Sequence, residues 1–392
     1  MRSISVAERR ARIGIRHRLA ASARVDDDVA EVARSVVLLH ATDPGTVVLS
    51  ALARMAHPDP QLVEAALYDD RTILRMLGMR RTLWTVPLDL APVVQASSTV
   101  AVAATERRKL EKLVEDAGLA TPASPWLERV ERATLAAIEE HGDAFATDVT
   151  PRVDELAAQV TLAPGTTYET TTRLTSRVLF LLAADGHLVR GRPKGRWTSS
   201  QHRWSTTARW LGGPLAVMDP AAARVELVRR WLERFGPGTV ADLKWWTGWT
   251  LGATRAALAQ LATVEVDLDG EPGLVLAGDE GPAPTPEPWV ALLPGLDPTT
   301  MGWQARAWYL GPHKPQVFDT NGNAGPTVWA DGRIVGGWAQ RKDGEVVTKL
   351  LEDLGREQTA AVHATAADLQ ALLGDLRVSP RFPTPVDREL CR

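Results

Sequence analysis

Two stretches of the chain follow one plan, and that repeat limits the fold more than any other feature. In the first, Ser124-Pro125 opens a helix over 125–140 that stops at Gly142. A serine hydroxyl caps a helix start, proline suits the first helical position, and a glycine just past the end takes the left-handed turn. A second helix starts at Thr150-Pro151 and a third ends in RVLFLLAADG, 177–186. HLVRGRPKGRWTSSQHRW, 187–204, reads as two short strands around a Gly/Pro/Lys loop. In the second stretch, residues 223–236 place Val225, Val228, Trp231, Leu232 and Phe235 on one helical face, and Gly236 ends the helix. Thr239, with Asp242 three residues on, opens the next helix in a capping-box pattern. Thr250 opens a third, and the strands VEVDL and GLVLA follow. Aligning Gly142 with Gly236 puts Asp148 on Asp242 and Val149 on Leu243. Each copy is then one small supersecondary unit of a diverged repeat.

Helix, helix, helix, hairpin is the order of a winged helix, whose third helix suits a DNA major groove and whose hairpin suits the backbone or minor groove. Upstream, helical patterns cover 6–20, Val29–Leu39 and Val47–Met55, with Thr42-Asp43-Pro44-Gly45 as a turn. TILRMLGMRRTLWTVP, 72–87, reads as a hairpin broken at Gly78, and a long helix runs from about Leu88 to Leu119. Beyond a Pro/Gly/acidic linker at 278–289, VALLPGL, QVFDT, PTVWADGRIVGGWAQ and EVVTKLL read as strands, with a late helix, Thr365–Leu373, capped by Thr365. The expected class is α+β: tandem winged-helix domains followed by a C-terminal β-barrel-like domain. Its divisions are 1–122 (winged-helix-like, with the polar turn and arginine hairpin), 123–212 and 213–280 (second and third winged helices) and 286–392 (barrel).

Composition removes several classes. No apolar run approaches the roughly 18 residues of a membrane span. The basic N-terminus lacks a secretory apolar core, and Cys391 is the one cysteine, which excludes an internal disulfide framework and a thiolate-rich zinc site. The cytoplasm is the simplest compartment. Phosphate-loop and His-Glu-x-x-His motifs are missing and the eight histidines are scattered, so neither a metal nor a cofactor is expected. Asp297, in LPGLD, is an acidic turn residue with no evident partner. The net charge of −3 gives no global preference for a polyanion, so clustering decides. Arg190, Arg192, Lys194, Arg196 and Arg203 occupy a stretch with no acid from His187 to Trp204, which suits phosphate contact or a solvated loop. Arg71, Arg75, Arg80 and Arg81, on or beside the 72–87 hairpin, suit minor-groove entry, and such arginines are equally common on exposed strands. His40, Thr42 and Asp43 are three polar side chains on one turn. By spacing alone, His40 reads as a helix-end dipole partner and the rest as a plain turn.

Three segments, VVLLHATDP (36–44), LRMLGMRRTLWTVP (74–87) and VALLPGLDPTTMGWQAR (290–306), give the chain a resemblance to the winged-helix DNA glycosylase superfamily of the AlkZ/YcaQ type. The second is similar to that family's Met-Arg-Gly-Thr-Leu-His hairpin and the third to its Leu-Leu-Pro-x-Phe-Asp segment. The resemblance implies a C-shaped clasp on duplex DNA and a monomeric, monofunctional enzyme that excises purines alkylated at N3 or N7, bulky or crosslinked adducts included, in the cytoplasm at the nucleoid. The family's catalytic element is Gln-x-Gln or Gln-x-Asp. By position His40 replaces its first glutamine and Thr42 its second polar residue, Arg81 stands at the hairpin glycine and Trp84 at the hairpin histidine. Carried over, the catalytic residues are His40, Thr42 and Asp43, and the DNA contacts are Arg75, Arg80, Arg81, Trp84, Arg190, Arg192, Lys194 and Arg196. In this reading neutral His40 accepts a hydrogen bond from the attacking water, Thr42 orients that water, and activity falls as His40 protonates near the reference pKa of about 6.5. The alternative is a non-catalytic winged-helix DNA-binding protein, a regulator or damage-binding factor, which would bind duplex without releasing base.

Overall fold

The computed structural model describes residues 1–163 and 165–392. They form a mixed α+β fold of helices and small sheets, in two compact units. One comprises Met1–Ile73, Trp84–Pro87 and Arg224–Arg392, the other Leu74–Leu83 and Leu88–Ala223.

The aligned repeat is visible at the level of hydrogen bonds. In the second unit helices Ala123–His141, Ala146–Val149 and Leu174–Ala184 precede the antiparallel strands Leu188–Pro193 and His202–Thr206. In the first unit helices Pro220–Phe235, Val240–Thr247 and Leu251–Leu258 precede Thr263–Leu268 and Glu271–Leu276. Asp148 accepts from the Phe145 N–H at 2.9 Å, and Asp242 accepts from the Thr239 N–H at 3.0 Å. Two residues past each aligned glycine the chain bridges the last strand of its unit, Ala144 to Trp204 and Gly238 to Leu274. An acidic side chain thus satisfies an orphan helix-start donor in both copies. The second helix differs from expectation in the earlier copy: it starts at Ala146, and Thr150-Pro151 continues it as a 3₁₀ turn.

Gly238 explains the close approach in the later copy. A Cβ there would lie 2.3 and 2.6 Å from ring carbons of Trp231, which is fully buried. Gly238→Ala is therefore expected to cost about 1–3 kcal/mol through overpacking, read as a lower urea midpoint at unchanged slope.

The core of the second unit gathers Leu110 and Val114 with Leu127, Val130, Ile138, Leu179 and Leu182. The expected long helix is a continuous run, Leu88–Asp116, but it contains a π-helical turn at Gln95–Thr99. There Thr99 Oγ1 donates to the Leu77 carbonyl at 2.7 Å and Gln95 Nε2 to that of Ala184 at 2.9 Å, while Thr99 Oγ1 also reaches the Val94 carbonyl within the helix at 3.2 Å, a side-chain insertion of the kind that accompanies a widened turn. This corrects the expectation that no apolar run approaches a membrane span: by length and composition Leu88–Asp116 is long and apolar enough to cross a bilayer, and its Ala103, Leu110 and Val114 are buried in this unit. The antiparallel pair Gln159–Leu162 and Thr170–Arg173 has no counterpart among the elements expected from the sequence.

The C-terminal part of the first unit corrects three expectations. The expected barrel is an open four-stranded antiparallel sheet, Val290–Leu293, Thr327–Ala330, Arg333–Gln340 and Val346–Leu350 in that order. Its middle strands are buried along nearly their whole length. Helix Gly355–Leu373 packs on its outer strands and helix Pro385–Leu390 on Arg333–Gln340, so two helical covers, rather than closure, shield it from water. QVFDT is no strand: its first two residues end helix Lys314–Val317, and Phe318 makes a single antiparallel bridge to Ala324. Thr365 caps nothing; it lies inside the long helix and donates to the Ala361 carbonyl at 2.9 Å.

Several of the fourteen tryptophans, which stand against five phenylalanines and three tyrosines in the sequence, lie in one aromatic run. Ring centroids follow one another from Trp84 to Trp246 (5.9 Å), Trp246 to Phe235 (6.3 Å), Phe235 to Trp303 (5.1 Å) and Tyr309 to Trp329 (5.4 Å) through the first unit. The buried indole N–H groups of Trp338 and Trp303 find acceptors at the Leu293 and Phe235 carbonyls, whereas that of Trp231 has none among the described residues.

Candidate functional site

His40 does not end a helix. The helix Val29–Ser35 stops early, Val37 takes φ 63°, and Leu39–His40 forms a short strand against residues 84–85, with His40 opposite Trp84. The β-branched pair Val36-Val37 disfavours continuing the helix and suits a strand. The dipole-partner reading of His40 therefore falls. Its ring is 7% exposed and meets the Trp84 ring edge-on at 4.9 Å. Trp84 is itself buried, between His40 and Trp246.

The turn that follows is tightly wired. The Thr42 N–H donates to His40 Nδ1 at 3.4 Å. With Nδ1 accepting, the proton of a neutral ring sits on Nε2. Asp43 is the N-cap of helix Pro44–Leu52: Oδ1 accepts from the Gly45 N–H at 3.0 Å and Pro44 fills the first helical position. Oδ2 accepts from the Arg381 N–H at 2.9 Å, and the Arg381 guanidinium donates to the Thr42 carbonyl at 3.2 Å. Thr42 Oγ1 is buried and hydrogen-bonds to nothing among the described residues. A buried hydroxyl without a partner is costly and marks a place where a ligand atom would be welcome.

Helix Pro44–Leu52 is pinned from its other side. Asp297, which lacked an evident partner in the sequence, is fully buried and paired with fully buried Arg54 at 2.8 and 2.9 Å. Ser50 Oγ donates to it at 2.7 Å and the Thr299 N–H at 2.8 Å. Arg54 also donates to Thr299 Oγ1 at 2.8 Å, that hydroxyl reaches His17 Nδ1 at 2.8 Å, and His17 Nε2 donates to the Arg234 carbonyl at 3.1 Å. Thr46 Oγ1 adds a bond to the Gly295 carbonyl at 2.7 Å. The third motif segment is thus the foundation of the helix that begins at the candidate site.

In the second unit the arginine hairpin closes through the Gly78 N–H to the Thr82 carbonyl at 2.9 Å. Its tip holds Arg80 and Arg81 at φ 56° and 59°, left-handed backbone that non-glycine residues adopt at a cost. Both are exposed; Arg81 pairs with Glu106 at 2.7 Å and lies over the Phe180 ring. Arg81 also lines a cleft of about 750 Å³ with Lys109, Arg177 and Phe180. Arg192, Lys194 and Arg196 are exposed around the other hairpin, while Arg190 is half-buried over the Trp204 ring at 4.9 Å. Arg75 is 4% exposed, and its Nη1 lies 3.4 Å from both ring nitrogens of His202. His202 was missed in the sequence; its only signal was membership of the acid-free stretch 187–204. Burial, then the charges of Arg75 and Arg190, push its pKa down to about 3. Among the described residues no three His, Cys, Asp or Glu side chains converge as a metal site.

A protein family described as DNA glycosylase AlkZ-like matches residues 33–372. Among solved structures, the chain is similar to the Streptomyces sahachiroi DNA glycosylase AlkZ, with 21% identity and a TM-score of 0.72 over 97% of this chain and 99% of that one. Among curated proteins none matches.

Proposed function

This chain belongs to the AlkZ-like DNA glycosylase family, and from that premise we propose that it hydrolyses the N-glycosidic bond of purines alkylated at N3 or N7 in duplex DNA, bulky and crosslinked adducts included, with water as the nucleophile. The observation that carries this reading is the buried, unpartnered hydroxyl of Thr42 beside the fixed His40 ring.

Such a purine is cationic and departs neutral, so its glycosidic bond is already weak. The protein's task is to stabilise an oxocarbenium-like sugar and to hold one water in line with it. Thr42 Oγ1 accepts a hydrogen bond from that water. His40 donates to its oxygen from Nε2, because Nδ1 is occupied by the Thr42 N–H. His40 is then a positioning group for the water rather than its base. Proton removal can follow bond breaking, since the sugar cation makes the bound water acidic. Asp43 shapes the turn through both of its oxygens and leaves its negative charge near the developing cation. Trp84 forms the floor of the His40 ring.

DNA is gripped in this reading by tandem winged helices acting as a monomer. Exposed Arg80, Arg81, Arg192, Lys194 and Arg196 meet backbone phosphates. The test uses the full chain and duplexes carrying one N7-methylguanine or one interstrand crosslink. Free base and alkali-labile sites are the expected products. Intact DNA across methyl, bulky and crosslinked adducts would overturn the reading.

A further inference from the structure

Of the buried arginines, Arg54 is paired with Asp297, Arg12, 3% exposed, is paired with Asp279 at 2.9 Å, and Arg9 lies over the Trp308 ring at 3.9 Å. Arg75, buried, and Arg190, half-buried, instead have each other's charge nearby. Among the described residues neither forms an ion pair, and Arg75 Nε is buried without a partner. Arg75 comes from the arginine hairpin, Arg190 and His202 from the two strands of the acid-free hairpin. All three belong to the second unit. Like charges held together away from water repel strongly, and no carboxylate relieves them. Burial, then Arg75, pushes Arg190 down to about 10. A group of this kind destabilises the fold unless an anion fills it.

We infer that Arg75, Arg190 and His202 form a single seat for one phosphodiester of the DNA backbone, joining two hairpins that the sequence presents as separate basic patches. The inference rests on the reading that the protein acts on duplex DNA. Arg190 and His202 are half-buried and supply the solvent-facing edge, and Arg75 lies beneath with its unpartnered Nε–H. The indole of Trp204 covers one side of Arg190, leaving guanidinium edges, which suit phosphate oxygens rather than a flat base. Exposed Lys194 and Arg196 continue the positive line along the same hairpin, as a backbone-tracking contact requires.

The seat makes an uncommon prediction: its loss weakens DNA binding and stabilises the free protein. Affinity for an unmodified duplex, measured by fluorescence anisotropy over a range of salt, should fall roughly tenfold for Arg190→Gln. The log–log salt slope should shrink by about 0.9, one phosphate. Arg75→Gln should do the same, and the double variant should lose no second phosphate, because both arginines share one. Lys194→Gln should lower the slope independently. Without DNA, Arg190→Gln should melt about 2–4 °C higher than wild type. Inorganic phosphate, against chloride at equal ionic strength, should raise the melting temperature of wild type and not of Arg190→Gln. Unchanged salt slopes in both single variants overturn the seat, and so does a lower melting temperature for Arg190→Gln. Stabilisation by inorganic phosphate with unchanged slopes overturns the assignment to DNA. Absence of base release by the wild type from methylated and crosslinked DNA, alongside the expected slope changes in the variants, would sink the glycosylase reading and leave the seat standing.

Discussion

His40→Ala is expected to slow release of N7-methylguanine from duplex DNA about a hundredfold in single-turnover measurements, the size of effect that follows from misplacing a reactant by about an ångström. The ring is held at two points: Nδ1 takes the Thr42 N–H, and the ring packs edge-on with that of Trp84. Removing it therefore frees the water without unfolding the turn, whose cap, Asp43, keeps its own bonds to Gly45 and Arg381. Thr42→Val removes the hydroxyl at nearly constant shape and should cost about tenfold, one hydrogen bond to the water. The decisive variant is His40→Gln. If the ring positions water as a donor, a glutamine amide N–H replaces that function, and the family element carries glutamine there. Most of the rate should return. If the ring instead removes the proton, His40→Gln will be as slow as His40→Ala. Wild-type rates in His40→Ala and Thr42→Val would move the site elsewhere.

What the sequence made legible was whatever is encoded within a few residues. The repeat could be read because glycine stops and acidic caps act locally, and Asp148 and Asp242 do the same work in the structure. The hairpin at 72–87 could be read from its punctuation at Gly78. His40 was misplaced because a strand of two residues is defined by a partner more than forty residues away, and an apolar run gives no period that separates it from a helix end. Asp297 looked solitary for the same reason: Arg54 and Ser50 reach it only through folding. The barrel expectation failed because strands buried on both faces read alike whether a sheet closes on itself or lies under helices. The meeting of Arg75 with His202 is likewise non-local.

Breaking the Arg54–Asp297 pair from one side is the change expected to cost most stability, about 3–5 kcal/mol for Asp297→Ala, because it strands a buried guanidinium and unties Ser50 and Thr299 together. Arg54→Met should cost a similar amount, and the double variant less than the sum, since removing both charges leaves neither uncompensated. Urea unfolding of the four proteins measures this coupling; strict additivity would mean that the pair contributes no interaction of its own. The same network sets the acid limit of the fold. Burial alone would raise the Asp297 pKa, but the charge of Arg54 and the hydrogen bonds from Arg54, Ser50 and Thr299 outweigh it and hold it below 3.8. His17 is pushed from 6.5 down to about 3, chiefly by burial and then by Arg54. Both shifts are downward, so in acid the unfolded chain binds protons that the native one refuses, and stability falls as pH falls. For His17 the loss begins below about 6.5 and continues towards 3; for Asp297 it adds below about 3.8. His17→Gln should therefore flatten the upper part of the acid limb, between pH values of about 6 and 4, and leave the lower part in place. An unchanged slope there would show that another group carries the proton uptake. Because helix Pro44–Leu52 carries Ser50 on this network and starts at Asp43, loss of Asp297 should also slow base release in protein that remains folded, with the candidate site displaced at its base rather than altered at its surface.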